Sequence, residues 1–270
     1  MPDNASHLAA NVERFSGFAS TYDRYRPAPP AVLIDILTQL ARTRSPELVV
    51  DVGCGTGLST RLWAERAQQV IGIEPNDDMR AEAEARTSAP GIRFQAGTST
   101  TTGLPDACAD IVTVSQALHW MEPAPTFAEI ARILRTGGIF AAIDCDWPPV
   151  MHWEAEAAYS ACLDRAAAIN KAHDLVPDVK HWPKGEHLSR MQASGRFRHT
   201  REIVLHSVEM SAAERLVGLA LSQGQLMTSL KHGISESELG LDDLRATACR
   251  TLGDGLTPWY FSYRVRVGIK

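Results

Sequence analysis

Leu48-Val-Val-Asp-Val-Gly-Cys-Gly-Thr-Gly57 joins a β-prone apolar run to an acidic residue and then to three glycines within five positions. A buried strand that ends this way and passes into a helix, expected over residues 58–67, lets bare main chain approach a ligand where a Cβ would obstruct it. The glycine spacing is G-x-G-x-G, and Leu58 stands where a dinucleotide fingerprint has its third glycine. A pyrophosphate needs a helix N-terminus facing it, so the spacing favours a ligand that requires only a close, uncharged backbone. Glu74 follows the first glycine by about twenty residues, the offset at which an acidic side chain meets ribose hydroxyls in nucleoside-binding folds.

Outward from this turn, short apolar runs alternate with helical stretches, the signature of β-α-β units and a parallel sheet. Strands are expected at 48–52, 70–73, 92–95, 111–115 and 139–143. Helices are expected at 77–86, with acidic residues at its start as the helix dipole favours, and at 126–134, stopped by Gly137-Gly138. Before the turn lies an aromatic segment, residues 15–25, closed by Pro27, Pro29 and Pro30 and followed by a helix over 31–40. After residue 146 the rhythm loosens into a Trp- and His-rich, partly helical stretch. Strands resume at 201–208 and 259–267, separated by helices over 212–223 and 237–252. This gives four parts: an N-terminal lid arm (1–30), a cofactor-binding core (31–146), a helical cap insertion (147–199) and the C-terminal part of the core sheet (200–270).

The chain has 270 residues, a formal net charge of -5, 44% hydrophobic and 22% charged residues, which fits one α/β fold with an insertion. No Lys or Arg stripe is present and the net field repels a phosphate backbone, so nucleic acid is not expected as a partner. The first fifteen residues lack an apolar stretch of signal-peptide length and no segment approaches a membrane span, so no membrane partner and a cytoplasmic location are expected. Cys54, Cys108, Cys145, Cys162 and Cys249 are widely spaced and form no C-x-x-C pair, as reduced thiols would be. His173, His181 and His187 lie near Asp174, Asp178 and Glu186, but at no recognised metal-ligand spacing, so no metal is expected.

Four blocks in order, Val50-Asp-Val-Gly-Cys-Gly-Thr-Gly57, Gly72-Ile-Glu-Pro75, Gly103-Leu-Pro-Asp106 and Ala117-Leu-His-Trp120, resemble class I S-adenosylmethionine-dependent methyltransferases, and more narrowly the methyltransferase type 11 group. Phe15-Ser-Gly-Phe-Ala-Ser-Thr-Tyr-Asp-Arg-Tyr-Arg-Pro27 resembles that group's N-terminal arm. The resemblance implies a Rossmann-like, seven-stranded, mostly parallel sheet flanked by helices, with a small helical cap. It also implies S-adenosylmethionine as cofactor, S-adenosylhomocysteine as product, a small-molecule acceptor, and a monomer or homodimer. By resemblance, Gly53, Cys54, Gly55 and Gly57 border the methionyl part, Glu74 and Pro75 the ribose, and Met79 the adenine. The group often has an acidic residue after the third strand to receive the adenine amino group. Gly97-Thr-Ser-Thr100 stands there in this chain, leaving Thr98 and Ser99 to read the ring edge through main-chain groups. Ser115, Gln116 and Ala117 would flank the sulfonium. Tyr22, Tyr25 and Arg26 would fold over the cofactor, with Arg26 as a partner for its carboxylate, or simply pack as part of an amphipathic arm.

Methyl transfer from a sulfonium is an in-line displacement, in which the protein contributes alignment, a dry pocket and sometimes a base. His119, directly after the fourth strand, is the catalytic candidate; the competing expectation is a histidine fixed by backbone contacts. Asp144 and Asp146, after the fifth strand, face the end of the sheet where ligands gather. A relative that keeps the cofactor pocket without methyl transfer is the alternative function.

Overall fold

The computed structural model describes residues 4–176 and 178–270; Met1 to Asp3 of the expected arm and Pro177 of the expected cap lie outside the described residues. Seven strands form one sheet: β1 (Leu48–Val52), β2 (Gln69–Ile73), β3 (Ile92–Gln95), β4 (Ala109–Ser115), β5 (Leu134–Cys145), β6 (His199–Ser211) and β7 (Thr257–Ile269). Their order is β3-β2-β1-β4-β5-β7-β6. The first five run parallel, and β7 is antiparallel to β5, with Ile139 opposite Ile269 and Cys145 opposite Tyr263. This is the mostly parallel α/β sheet expected.

The chain divides into two compact units. The core unit, residues 28–145, 180–205 and 263–270, holds β1 to β5 and the adjoining parts of β6 and β7. Val50, Ile71, Val112, Val114, Phe140 and Ala142 form the centre of its apolar cluster, joined by Phe127, Met191 and Phe197. The helical unit, residues 1–27, 146–179 and 206–262, contains α1 (Asn4–Glu13), α2 (Ala19–Tyr25), α6 (Trp153–Ala172), α8 (Ala213–Leu221), α9 (Gly224–Lys231) and α10 (Leu241–Leu252). Within it, Ser229 Oγ donates to Asn170 Oδ1 (2.7 Å) and Gln223 Nε2 to Tyr159 Oη (2.7 Å), tying α9 and its N-terminus to α6. The observed division differs from the four expected parts. Residues 180–199 belong with the core, and residues 206–262 with the helices after β5.

Two local expectations are corrected. No α-helix forms over 58–67; only a 3-10 turn, Thr60–Trp63, is present. The Ser59 and Thr60 hydroxyls both donate to Asp51 Oδ2 at 2.7 Å, and Arg61 Nη1 donates to the Thr56 carbonyl, drawing this segment back onto the end of β1. Nor do Gly137 and Gly138 cap a helix. α5 (Pro123–Ile133) runs directly into β5 through Leu134, whose φ/ψ is already extended (-69°/139°). The glycines lie inside that strand, where a Cβ on Gly138 would come within 2.9 Å of the Arg135 carbonyl. The elements α3 (Val32–Leu40) and α4 (Asp77–Ala85) form where periodicity placed them, the latter capped by Asn76 Oδ1, which accepts from Met79 N (3.0 Å). The helix α7 (His187–Ala193) completes the core unit.

Behind the loop that follows β3, Glu129 on α5 accepts from Arg132 Nε (2.7 Å) and Nη2 (2.8 Å), and from the Thr102 amide (2.8 Å) and hydroxyl (2.6 Å). The guanidinium of Arg132 chiefly, with Thr102, holds the Glu129 carboxyl down to about 2, against the upward push of burial. A depressed carboxyl stabilises the fold above its unfolded value near pH ~4.3 and loses that contribution as pH falls toward the native value. The urea midpoint of the wild type should therefore drop between about pH 5 and pH 2.5 more steeply than that of Glu129→Gln; parallel curves would refute the assignment.

Candidate active site

Asp51, the fourth residue of β1, is fully buried, and its carboxylate is the anchor of the glycine turn. Oδ2 accepts from Ser59 and Thr60, and Oδ1 from Thr113 Oγ1 on β4, all at 2.7 Å. Burial pushes this carboxyl up and the three hydroxyls oppose it. Above the anchor, the Gly53 and Cys54 amides donate to the Ile73 carbonyl (2.8 and 3.1 Å), stitching the turn to the end of β2. Cys54 is buried and its thiol is pushed well up by that burial.

Gly53, Gly55 and Gly57 all take the left-handed conformation, with φ of 68°, 55° and 82°. Their surroundings separate them. A Cβ at Gly53 would meet Met121 Cε at 2.6 Å and Ala117 Cβ at 2.9 Å, and one at Gly57 would press on Phe94 at 3.0 Å. At Gly55 nothing lies within 4 Å, so this glycine presents main chain to open space. The amide of Gly55 donates to Glu74 Oε2 (2.9 Å) and that of Asn76 to Oε1 (3.0 Å). Glu74 is buried, which raises its carboxyl, while the two amides favour the charged form. Each oxygen retains acceptor capacity for a hydroxyl. Pro75 is half-buried and Met79 buried beside it in sequence.

Both main-chain polar groups of Thr98 bond with Thr101, at 3.1 and 3.3 Å, and Ser99 Oγ lies 2.9 Å from Thr126 Oγ1. Ser115 ends β4, and Gln116 after it has an uncommon non-glycine φ of 54°, its amide donating to the Ile143 carbonyl (2.8 Å). Ala117 then opens a 3-10 turn over Leu118–Trp120.

His119 lies in that turn and is buried; its carbonyl accepts from the Trp182 amide (2.9 Å). Its Nδ1 is 3.7 Å from Asp144 Oδ1, too far for a hydrogen bond. Asp144 Oδ2 accepts from Arg266 Nη1 on β7 (2.6 Å), Lys184 Nζ is 3.3 Å from Oδ1, and His187 Nε2 is 3.8 Å from Oδ2. Burial lowers both histidines to about 4. Burial pushes Asp144 up, but the neighbouring imidazoles and Lys184 outweigh it and hold the carboxyl at about 2. At neutral pH the site therefore holds two neutral rings around one carboxylate.

Tyr22 and Arg26 fall in the helical unit. There Arg26 donates to Ser222 Oγ (2.9 Å), the Ser222 carbonyl (3.0 Å) and Gln223 Oε1 (2.6 Å), and its guanidinium stacks on Tyr22 and Trp147. The core unit thus brings together the glycine turn, Glu74, Pro75, Met79 and the β4 end. The sequence reading passed over Asp51, Lys184 and Arg266, and set His187 beside His173 and His181 instead of His119 and Asp144. Of these, only Asp51 carried a local signal, as the acid two residues before the first glycine.

A family model described as a methyltransferase domain matches residues 50–142, from the end of β1 to within β5. An uncharacterized methyltransferase of Mycobacterium bovis is 36% identical over 124 residues, 46% of this chain and 49% of the relative. A malonyl-[acyl-carrier protein] O-methyltransferase of Serratia marcescens is 32% identical over 134 residues, 48% and 50% of the two chains. The chain spans about half the length of the curated relatives it matches. Among solved structures, a candidate type II methyltransferase from Anaeromyxobacter dehalogenans superposes with a TM-score of 0.64 at 22% identity, covering 91% of this chain and 98% of the other. That likeness shows a shared Rossmann-like fold over most of the chain.

Asp51→Ala would strand three buried hydroxyls and remove the turn's anchor. It should cost roughly 2–4 kcal/mol of unfolding free energy by denaturant titration. A loss within experimental error would mean that the anchor is dispensable.

Proposed function

We propose that the chain is an S-adenosylmethionine-dependent methyltransferase that acts on a small-molecule acceptor. The observation that carries this reading is Gly55: a left-handed glycine within the stretch that the methyltransferase-domain model matches, with its amide on Glu74 and its Cα face open. When bound, the cofactor supplies an electrophilic methyl on a sulfonium and leaves as S-adenosylhomocysteine.

The residues of the core unit then divide the remaining work. The turn from Gly53 through Cys54 and Gly55 to Gly57 lets the methionyl part lie against main chain. Glu74, held by two amides, accepts the ribose hydroxyls beside Pro75, and Met79 with Ser99 bounds the adenine. Thr98 holds the turn through its bonds with Thr101, and its carbonyl keeps a second lone pair for the ring edge. Ser115, Gln116 and Ala117 line the sulfur side, where the left-handed Gln116 turns the chain sharply after β4. His119 faces the acceptor as a neutral ring able to accept a proton. At about 4 it is a weak base, which suits an acceptor that is already acidic. Nothing within the helical unit singles out Tyr22 or Arg26 for the cofactor, and the reading rests on core residues alone.

No helix among the described residues is long and apolar enough to cross a membrane. The reading is of a cytoplasmic enzyme, monomeric or a homodimer, and the net charge of -5 argues against a nucleic-acid partner.

Calorimetry should show one site per chain for S-adenosylmethionine and S-adenosylhomocysteine, with Kd on the order of micromolar. Gly55→Val puts a branched side chain into the open face. It should weaken binding at least about 100-fold while costing only about 1–2 kcal/mol of stability through its positive φ. Absence of binding by the wild type, or unchanged affinity in the variant, would remove the proposal; binding without methyl transfer to any acceptor would favour a non-catalytic relative.

A further inference from the structure

Three buried side-chain atoms in the core unit lack any hydrogen-bond partner and lie together: His119 Nδ1, Asp144 Oδ1 and His187 Nε2. Buried polar atoms are nearly always paired, so three orphans converging on one point call for a common explanation. One ligand atom from each of these residues lies within 4.8 Å of the others, and all three residues are buried. His119 Nδ1 lies 3.7 Å from Asp144 Oδ1, and His187 Nε2 lies 3.8 Å from the other oxygen, Oδ2. Bonds of ~2.1 Å at tetrahedral angles place ligand atoms about 3.4 Å apart, so His119 Nδ1 and Asp144 Oδ1 are a few tenths of an ångström from closing on one ion, and His187 Nε2 must move further, within the 4.8 Å that spans the three ligand atoms. Both histidine-to-carboxylate separations are too long for direct hydrogen bonds.

The residues reach this point from three separate elements: the turn after β4, the end of β5 and the start of α7. The site lies at the carboxyl ends of parallel strands, where α/β sheets gather their ligands. We infer that His119, Asp144 and His187 form a binding site for a first-row transition-metal dication. Two imidazoles and one carboxylate are borderline ligands, suited to Zn²⁺, Co²⁺ or Fe²⁺ and poorly suited to Ca²⁺ or Mg²⁺.

Two cations already approach Asp144. Arg266 Nη1 bonds Oδ2, and its Nε bonds Glu202 Oε2 at 2.7 Å, so its charge is shared between two carboxylates and it acts as an outer support. Lys184 is different. Its ammonium stands 3.3 Å from Oδ1, the oxygen the metal would use, and 3.1 Å from Gln116 Oε1. It rises from a short 3-10 turn, Lys184–Glu186, with its side chain 31% exposed, and can swing outward. Lys184 therefore competes with the metal for Asp144. If the methyltransferase reading holds and the acceptor is a hydroxyl, an ion held by His119, Asp144 and His187 would supply Lewis-acid activation of that hydroxyl, and His119 would serve as a ligand in place of a base.

The test is titration of the apo protein, stripped with chelator, with Co²⁺ and Zn²⁺, followed by the visible cobalt spectrum and by calorimetry, with no cofactor or acceptor present. One equivalent of Co²⁺ should bind and give the intense visible bands of a tetrahedral site. Lys184→Met should tighten binding at least about tenfold, and Asp144→Asn, His119→Ala and His187→Ala should each weaken it by more than that. Circular dichroism and thermal melts check that each variant folds, and Mg²⁺ serves as the control ion. Wild type and Lys184→Met both failing to bind, or the three ligand variants binding like wild type, would overturn the inference. Because nucleoside binding is measured separately, failure here leaves the methyltransferase reading standing, and the converse also holds.

Discussion

The buried carboxylate of Asp51 is the constraint on which the rest of the site depends. A charge in the interior of a sheet is costly unless it is fully hydrogen-bonded, and here three hydroxyls from two different segments satisfy it. That requirement fixes the path of the chain after β1. Ser59 and Thr60 must return to the strand end, so the segment beyond the glycines tightens into a 3-10 turn, and Thr113 ties β4 into the same arrangement. The glycines supply the left-handed turns that this return demands, and only Gly55 is left facing open space. An ordinary helix start at residue 58 would have pulled Ser59 and Thr60 away from their acceptor.

The sheet was legible because its strands are short, apolar and bounded by turn residues; the five parallel strands were found within two residues, except that β5 begins earlier. The early start has a physical cause. Gly137-Gly138 reads locally as a helix terminator, yet the chain uses these residues where backbone crowds backbone inside a strand. The helix α9 was missed for a related reason. It begins at Gly224, a poor helix former whose place is fixed by Arg14 packed against it and by the Gln223 and Ser229 bonds to α6, contacts that depend on tertiary structure.

The candidate site was legible in proportion to how local it is. The glycine turn and Glu74 lie in one β-α-β unit, so their spacing in the chain carries the geometry. The charge cluster does not. Its members come from positions 119, 144, 184, 187, 202 and 266, and of these only Lys184 and His187 are close neighbours in sequence. The sequence grouped His173, His181 and His187 by proximity. The fold instead places His187 beside His119 and Asp144, while His173 falls at the end of α6 in the other unit. His119 and Asp144 were each noticed for their place at strand ends, but their relation becomes visible only once β4 and β5 are paired.

The same pairing explains why the cluster can exist at all. Asp144 stands opposite Arg264 in the β5–β7 register, two residues from Arg266, so the antiparallel return of β7 brings a guanidinium within reach of a carboxylate at the end of a parallel strand. Arg266 is then held on its far side by Glu202 of β6, and the row Asp144, Arg266, Glu202 carries one excess negative charge, which the Lys184 ammonium, 3.3 Å from Asp144 Oδ1, offsets. With Arg266 on Oδ2 and the Lys184 ammonium near Oδ1, Asp144 can be buried as a carboxylate whose Oδ1 accepts no hydrogen bond. The antiparallel strand is therefore more than an edge to a parallel sheet: it supplies the counter-charge that permits an anionic oxygen to be kept at the strand ends, between two neutral imidazoles.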